Sequence, residues 1–310
     1  MMPSRVTLYE VGPRDGLQNE SAELPVEAKL RLVSALADAG LKRIEIGSFV
    51  RPEWIPQLAD TDAVARGLPR KPGIRYAALV PNRFGLERAV AAGLREIAVF
   101  MSATETHNLK NTNKTIAQSL EHFADIVPAA KKQGLFVRGY LSTIWGCPYE
   151  GKVDAKRALE IARMLRSIGC DELSLGDTIG VGNPRQTREI LELFLREIPA
   201  AMLALHLHDT HGTALANCLV ALEMGIATFD TSIGGMGGCP YAPGAAGNLA
   251  TEDLASMLFD MGIETGVDLD KLVDAGAMAQ ELVRHKLPGR RLQAALGRRN
   301  PGEAPRASAT

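Results

Sequence analysis

Hydrophobic residues recur along this chain in two patterns that alternate. Short apolar runs predict buried β-strands, and longer runs with apolar residues three and four positions apart predict amphipathic helices. The predicted strands are 5–11, 43–46, 74–80, 96–100, 136–143, 172–176, 202–208 and 228–233. The predicted helices are 25–39, 54–66, 83–92, 115–132, 154–168, 184–197, 212–224 and 249–261, followed by a further helix over 268–285.

Strands and helices that alternate at this period predict a parallel sheet with crossover helices. Eight such units indicate an α/β fold, a closed (β/α)8 TIM barrel that forms one domain over 1–288 with an additional C-terminal helical segment. An open doubly wound sheet is the second possibility, but it favours a GxGxxG loop after the first strand, and that motif is absent. Residues 289–310 are rich in Arg, Pro, Ala and Gly, and we expect them to be disordered.

Composition and net charge limit the kinds of molecule that we expect the chain to bind. The chain has 310 residues, of which 46% are hydrophobic and 23% charged, with a net charge of −1. This charge gives no electrostatic reason to expect binding to nucleic acid or to a membrane surface, and no apolar run is long enough to span a bilayer. The N-terminus enters a strand pattern without a targeting segment, so we expect a cytoplasmic protein with reduced cysteines.

Polar residues lie where the predicted strands end, which is where the active sites of (β/α)8 barrels are built. Arg14 and Asp15 follow the first strand, and Asp177 ends the sixth. Glu45 lies on the second strand between two isoleucines, which should face the helices and so direct Glu45 into the barrel. A carboxylate in that position needs an ion pair or a metal.

His206 and His208 are two residues apart on the seventh strand, so both point to the same face. An isolated pair of this kind is more often a hydrogen-bonded core pair, but Asp15 on the same rim favours a metal site. Asn248 follows the eighth strand and adds an amide oxygen. Two nitrogens and two oxygens suit Mg²⁺ or Mn²⁺ better than tetrahedral zinc.

A glycine-rich stretch after the eighth strand carries Cys239 between six glycines and two prolines, over 232–254. Its neighbours offer this cysteine little to pack against, so we expect a functional thiol. Cys170 and Cys218 fall inside predicted elements and are expected in the core, whereas Cys147 lies in a loop and its role stays open.

The chain resembles the 3-hydroxy-3-methylglutaryl-CoA (HMG-CoA) lyase family through the segments VGPRDGLQNE, RGY, GCPYEGK, SLGDTIGVG, HDTHG and GGCPYAPGAAGN. The resemblance extends from about Val6 to Ala275 and implies an acyl-CoA substrate, a divalent metal and a homodimer. It implies metal ligation by the two histidines and two rim residues described above, Asp15, His206, His208 and Asn248. It also implies active-site roles for Arg14, Glu45, Asp177 and Cys239, the last in a loop that closes over bound substrate.

The family's reaction would be a retro-Claisen cleavage that gives acetoacetate and acetyl-CoA. Asp177, His206 and Glu45 are all candidates for the base, and Cys239 would deliver a proton to the enolate carbon. Segment 103–115 differs from the family pattern, so a lyase of the same chemistry for a different 3-hydroxy-3-methyl or longer branched acyl-CoA is the alternative. A condensing synthase and a non-catalytic binding barrel are further alternatives.

Overall fold

The computed structural model describes residues 2–238 and 247–299. Within these residues eight parallel strands hydrogen bond in chain order, and β8 pairs with β1 to close the barrel. The strands are β1 (Thr7–Glu10), β2 (Arg43–Ser48), β3 (Arg75–Leu79), β4 (Glu96–Ser102), β5 (Phe136–Ser142), β6 (Glu172–Asp177), β7 (Leu203–Leu207) and β8 (Thr228–Thr231). The predicted TIM barrel is confirmed, and the open sheet is wrong.

Helices connect the strands and cover the outside of the barrel. They are α1 (Val26–Asp38), α2 (Thr61–Gly67), α3 (Arg83–Ala91), α4 (Glu105–Thr112), α5 (Ile116–Lys132), α6 (Ala155–Ile168), α7 (Pro184–Leu195), α8 (Ala214–Glu223), α9 (Thr251–Asp260), α10 (Leu269–Val283) and α11 (Arg290–Arg299). The predicted helix 54–66 is instead a 3₁₀ turn, Pro56–Leu58, followed by α2. In the described part of the chain, none of the helices combines the length and apolarity needed to cross a membrane.

The aliphatic core lies between the strands and the helices. Alternate strand residues such as Leu205 and Leu207 point outward and pack there, and both are about 1% exposed. His206, between them, therefore points into the barrel, as the period of a strand requires. The packing of outward-facing strand residues against the helices thus determines which strand side chains point into the barrel.

Charged residues fill the end of the barrel where the strands begin. Arg43 is buried there and donates to Glu172 at 2.9 Å and to Glu96. The Arg43 guanidinium carbon also lies 4.6 Å from the centre of the Tyr9 ring. Buried charges are tolerated when they are paired in this way. This end of the barrel is therefore closed by an ion-pair network.

Two helices were not predicted from the sequence. Helix α4 falls in a segment that we expected to be an irregular polar stretch, because few of its residues are apolar. Helix α11 corrects the expected disorder from residue 289, since Leu292 and Ala295 are buried and Asp253 accepts the backbone N–H groups of Arg290 and Arg291 at 3.0 and 2.6 Å. Residues 300–310 lie outside the described part of the chain.

The described cysteines are free thiols in the interior. Cys170 and Cys218 are buried core residues, as predicted, and burial raises the pKa of the Cys170 thiol to about 12. Cys147 is buried as well, and its sulfur accepts a hydrogen bond from the Thr104 hydroxyl at 3.1 Å. None of these three thiols is poised for nucleophilic chemistry.

Candidate active site

A tight turn directly after β1 presents Arg14 and Asp15 at the mouth of the barrel. Gly12–Gly16 forms a single π-helical turn, in which the Gly16 N–H donates to the Val11 carbonyl at 3.2 Å. The Val11 N–H donates in turn to Thr231 at 2.8 Å, which fastens the turn to β8. Single π-helical turns often lie at functional sites.

Asp15, His206 and His208 meet at this mouth. One ligand atom from each lies within 4.8 Å of the other two. The Asp15 Oδ2 atom lies 3.9 Å from His206 Nε2 and 4.0 Å from His208 Nε2. Asn248 joins them, because its side-chain nitrogen donates to Asp15 Oδ2 at 2.7 Å and to the Met236 carbonyl at 3.2 Å. The structure therefore brings together all four residues predicted to bind metal.

The charges of this cluster suit a cation. Burial, and then the neighbouring His206, lower the pKa of His208 to about 4, so its imidazole is neutral at physiological pH. Burial alone would raise the pKa of Asp15, but Arg14 and the two histidines hold it well below its usual range. His208 Nδ1 is buried and has no hydrogen-bond partner among the described residues. Two imidazoles and one carboxylate are a fitting donor set for a divalent ion.

Arg14 lies between two carboxylates beside this cluster. Its Nε donates to Glu45 Oε2 and its Nη1 to Asp15 Oδ1, both at 2.5 Å. Although burial alone would lower the pKa of Arg14, Glu45 and Asp15 raise it, so the guanidinium stays charged. The Tyr140 hydroxyl donates to Glu45 Oε2 at 3.3 Å. Burial raises the pKa of Glu45, against the opposing effect of Arg14.

Asp177, for which we predicted an active-site role, lies outside this cluster. Its Oδ1 accepts the Val181 N–H at 3.1 Å, and its Oδ2 accepts the Gly182 N–H at 2.8 Å. Ser174, on the same strand, faces the barrel interior, and Asp177 has the opposite parity. The carboxylate therefore holds the loop after β6, on the helix side of the strand.

Asp230 and Arg138 belong to the site but were not assigned to it from the sequence. The Asp230 Oδ2 atom lies 3.1 Å from His206 Nδ1 and accepts from the Ser174 hydroxyl at 3.0 Å. Its Oδ1 accepts from Arg138 Nη2 at 2.5 Å. Burial alone would raise the pKa of Asp230, but Arg138 and His206 lower it, so the carboxylate is ionised and His206 Nδ1 carries a hydrogen. The signal in the sequence that could have identified Asp230 is a carboxylate within a predicted strand, the same signal that identified Glu45.

A cavity of about 640 Å³ opens above these groups. One end is lined by Arg14, Asp15, His206 and His208. The rest of the wall combines aromatic, hydroxyl and basic side chains, among them Trp54, Phe100, Tyr140, Ser48, Ser142, Ser174, Lys110 and Lys114. This volume and mixture of surfaces are typical of a pocket for a small organic ligand.

Cys239 lies outside the described residues. Gly238, which precedes it, lines the cavity. Gly247 is the first described residue after this segment. It packs against Gly237, and a Cβ placed on Gly247 would lie 2.4 Å from the Gly237 carbonyl oxygen. The predicted role of Cys239 therefore stays a prediction.

Comparison with known proteins identifies relatives of this chain. Residues 5–279 match the model of a family described as HMGL-like. A mitochondrial hydroxymethylglutaryl-CoA lyase of Rattus norvegicus is 50% identical over 293 residues, which cover 94% of this chain and 90% of the relative. A hydroxymethylglutaryl-CoA lyase of Bacillus subtilis is 51% identical over 291 residues, which cover 94% of this chain and 97% of the relative.

Solved structures agree with these matches. The crystal structure of an HMG-CoA lyase from Bacillus subtilis superposes with a TM-score of 0.94 at 50% identity, covering 95% of this chain and 99% of the other. An HMG-CoA lyase from Acinetobacter baumannii, in complex with coenzyme A and 3-methylmalate, superposes with a TM-score of 0.90 at 39% identity. That comparison covers 97% of this chain and 98% of the other.

Proposed function

The chain belongs to the HMGL-like family, and from that premise we propose that it cleaves HMG-CoA to acetoacetate and acetyl-CoA with the help of a divalent cation. It is a carbon–carbon lyase by membership of this family. The observation that carries the proposal is the convergence of Asp15, His206 and His208 beside Arg14 at one end of the cavity.

We propose Mg²⁺ or Mn²⁺ as the ion, held by Asp15, His206, His208 and Asn248. When bound, such an ion would lower the pKa of the substrate's C3 hydroxyl and orient the bond that breaks. His206 supports this assignment, because its Nδ1–H donates to Asp230 and leaves Nε2 free as a ligand atom. Neutral His208 and ionised Asp15 are already in their ligating protonation states.

Glu45 is the best supported of the three candidates for the base. Asp177 faces away from the cavity, and His206 has Nδ1 bonded to Asp230 and Nε2 directed at the metal site. Glu45 Oε1 has no hydrogen-bond partner among the described residues, and burial raises the pKa of Glu45, which makes its carboxylate a stronger base. Tyr140 lines the cavity and donates to Glu45, so its hydroxyl can relay the proton from the substrate.

Arg14 is proposed to stabilise the enolate of acetyl-CoA. Its guanidinium lines the cavity and is fixed from two sides by Glu45 and Asp15. A donor that is already oriented stabilises developing negative charge without reorganisation. Cys239 is proposed to protonate the enolate carbon, which would complete acetyl-CoA.

The acyl-CoA substrate is supported by the cavity wall that α4 and the residues directly after it provide. Lys110 and Lys114 offer positive charge at that wall, and Trp54 offers an aromatic surface. The residues of α4 lie in segment 103–115, which departs from the family pattern. A panel of branched 3-hydroxyacyl-CoA substrates tests whether this segment shifts the preference away from HMG-CoA.

The deciding experiment measures acetoacetate released from HMG-CoA with added Mg²⁺, with Mn²⁺ and after EDTA treatment. We expect activity that EDTA abolishes and that either ion restores. Glu45→Gln and Tyr140→Phe should both lower kcat more than KM, and Asp177→Asn should affect stability more than kcat. If no substrate of the panel is cleaved with either ion, the proposal is wrong.

We also propose a homodimer in the cytoplasm. Exposed apolar side chains on the outside of the barrel, such as Phe259 at 69% exposed, are available for an interface. Light scattering after size-exclusion chromatography tests the dimer, and cell fractionation tests the location. A monomer at micromolar concentration would contradict the first proposal.

A further inference from the structure

Glu10 forms hydrogen bonds to two separate loops of the active-site rim. It is the last residue of β1 and is completely buried. Its Oε1 accepts the N–H of Gly12 at 2.8 Å and the N–H of Ile233 at 2.9 Å. Its Oε2 accepts the Thr251 hydroxyl at 2.6 Å. One carboxylate oxygen therefore joins the loop after β1 to the loop after β8.

Each of these loops supplies a residue of the metal site. Gly12 begins the turn that carries Asp15. Ile233 begins a 3₁₀ turn that leads directly to Met236, whose carbonyl accepts from the Asn248 side chain. Asn248 then donates to Asp15 Oδ2, which closes a ring of contacts back to the first loop. Glu10 thus contacts both the turn that carries Asp15 and the turn that leads to the Asn248 contact.

The packing between the two loops leaves little room for adjustment. A Cβ placed on Gly16 would lie 2.9 Å from Met236 Cβ, and one placed on Gly12 would lie 2.5 Å from Glu10 Oε1. Protein interiors packed this closely transmit small displacements rather than absorb them. A change in the reach of the Glu10 side chain should therefore alter the separation of Asp15 and Asn248.

We propose that Glu10 is a positioning residue that holds the Asp15 turn and the Asn248 loop at the separation required for metal binding. It acts through backbone N–H groups and touches neither the ion nor the substrate. The inference rests on the metal site of the proposed function, but not on which acyl-CoA is cleaved.

The test measures Mn²⁺ affinity, in the absence of substrate, for the full chain and three variants. Glu10→Gln should bind within about threefold of wild type, because the amide oxygen accepts both N–H groups and the Thr251 hydroxyl can accept from the amide NH₂. Glu10→Asp should bind about 10- to 100-fold more weakly, the usual effect of disturbing a group that orients a metal ligand. Thr251→Val is the matched control, since it keeps both backbone contacts and should bind like wild type.

Several outcomes would overturn the inference. Wild-type affinity in folded Glu10→Asp would show that the reach of the side chain does not matter, and equal weakening in Glu10→Gln would show that its charge matters instead. If Glu10→Asp fails to fold, Glu10→Met takes its place, because it keeps a similar length but offers no oxygen. Amide hydrogen exchange of the wild-type protein needs no variant: rapid exchange at both Gly12 and Ile233 would also contradict the inference.

The same measurements separate this inference from the proposed function. A protein that binds Mn²⁺ in a Glu10-dependent way yet cleaves no acyl-CoA would refute the function and keep the positioning role. If wild type and Glu10→Asp cleave HMG-CoA equally well at limiting Mn²⁺, the positioning role is refuted and the function is kept.

Discussion

Asp230→Asn should affect metal binding and stability together, because Asp230 contacts both His206 and Arg138. Asp230 accepts from Arg138 on one oxygen and from His206 and Ser174 on the other. An asparagine keeps the shape but has only one oxygen. Whichever way its amide is turned, the NH₂ group faces either the Arg138 guanidinium or the His206 ring, both of which are donors.

Two effects of different size follow. Arg138 is fully buried and loses the Asp230 carboxylate, while its ion pair with Glu172 at 3.2 Å remains, so stability should fall by about 3–5 kcal/mol. His206 loses the carboxylate that fixes its tautomer, so metal affinity should fall about 10- to 100-fold. Both effects should appear together in Asp230→Asn.

The assay combines Mn²⁺ titration with urea unfolding of the metal-free protein. Nitrogen NMR of the His206 ring reports whether Nδ1 still carries the hydrogen. Glu172→Gln is the control, because it weakens the hold on Arg138 without touching His206. It should lower stability and leave metal affinity unchanged. Wild-type affinity in Asp230→Asn, or an equal loss in Glu172→Gln, would refute the role assigned to Asp230.

Three further variants test other parts of the structure. His208→Ala should lose bound metal, and unchanged metal content by elemental analysis would remove His208 from the ligand set. Cys239→Ala should fold and bind metal but lose about 10²- to 10⁴-fold in kcat, the usual contribution of a proton donor, and a near-normal kcat would disprove that role. Burial raises the pKa of Glu252 from 4.5 to about 8, so the folded protein keeps a proton that the unfolded chain releases, and this costs stability as pH rises from 4.5 to 8. The stability of Glu252→Gln should therefore rise relative to that of wild type by about 3–4 kcal/mol between pH 5 and pH 8 in urea unfolding, and a constant difference would count against the shift.

Strand parity explains which way the predicted site residues on the strands point. His206 and Glu45 were placed correctly because apolar neighbours on both sides show which way they point. Asp177 follows a glycine, so it has no apolar neighbour on the strand from which its face could be judged, and its position at a strand end was misleading. Its parity relative to Ser174 would have placed it on the helix side.

Contacts between distant segments account for what the sequence did not reveal. Asp230 has a role only because Arg138 and His206 converge on it from two other strands. Helix α11 has few apolar residues, and the Asp253 carboxylate that caps it lies on another helix. Helix α4 is likewise polar, so hydrophobic periodicity could not detect either helix.

The direct contact between Asp15 and Asn248 has a consequence for biosynthesis. The two residues are 233 positions apart, one after the first strand and the other after the last. During synthesis on the ribosome, the site cannot form until the eighth strand has emerged and paired with β1. An ion bound there adds its free energy only to the closed barrel and gives nothing to shorter folding intermediates. A higher metal concentration during growth should therefore stabilise the closed barrel and leave incomplete chains without stabilisation.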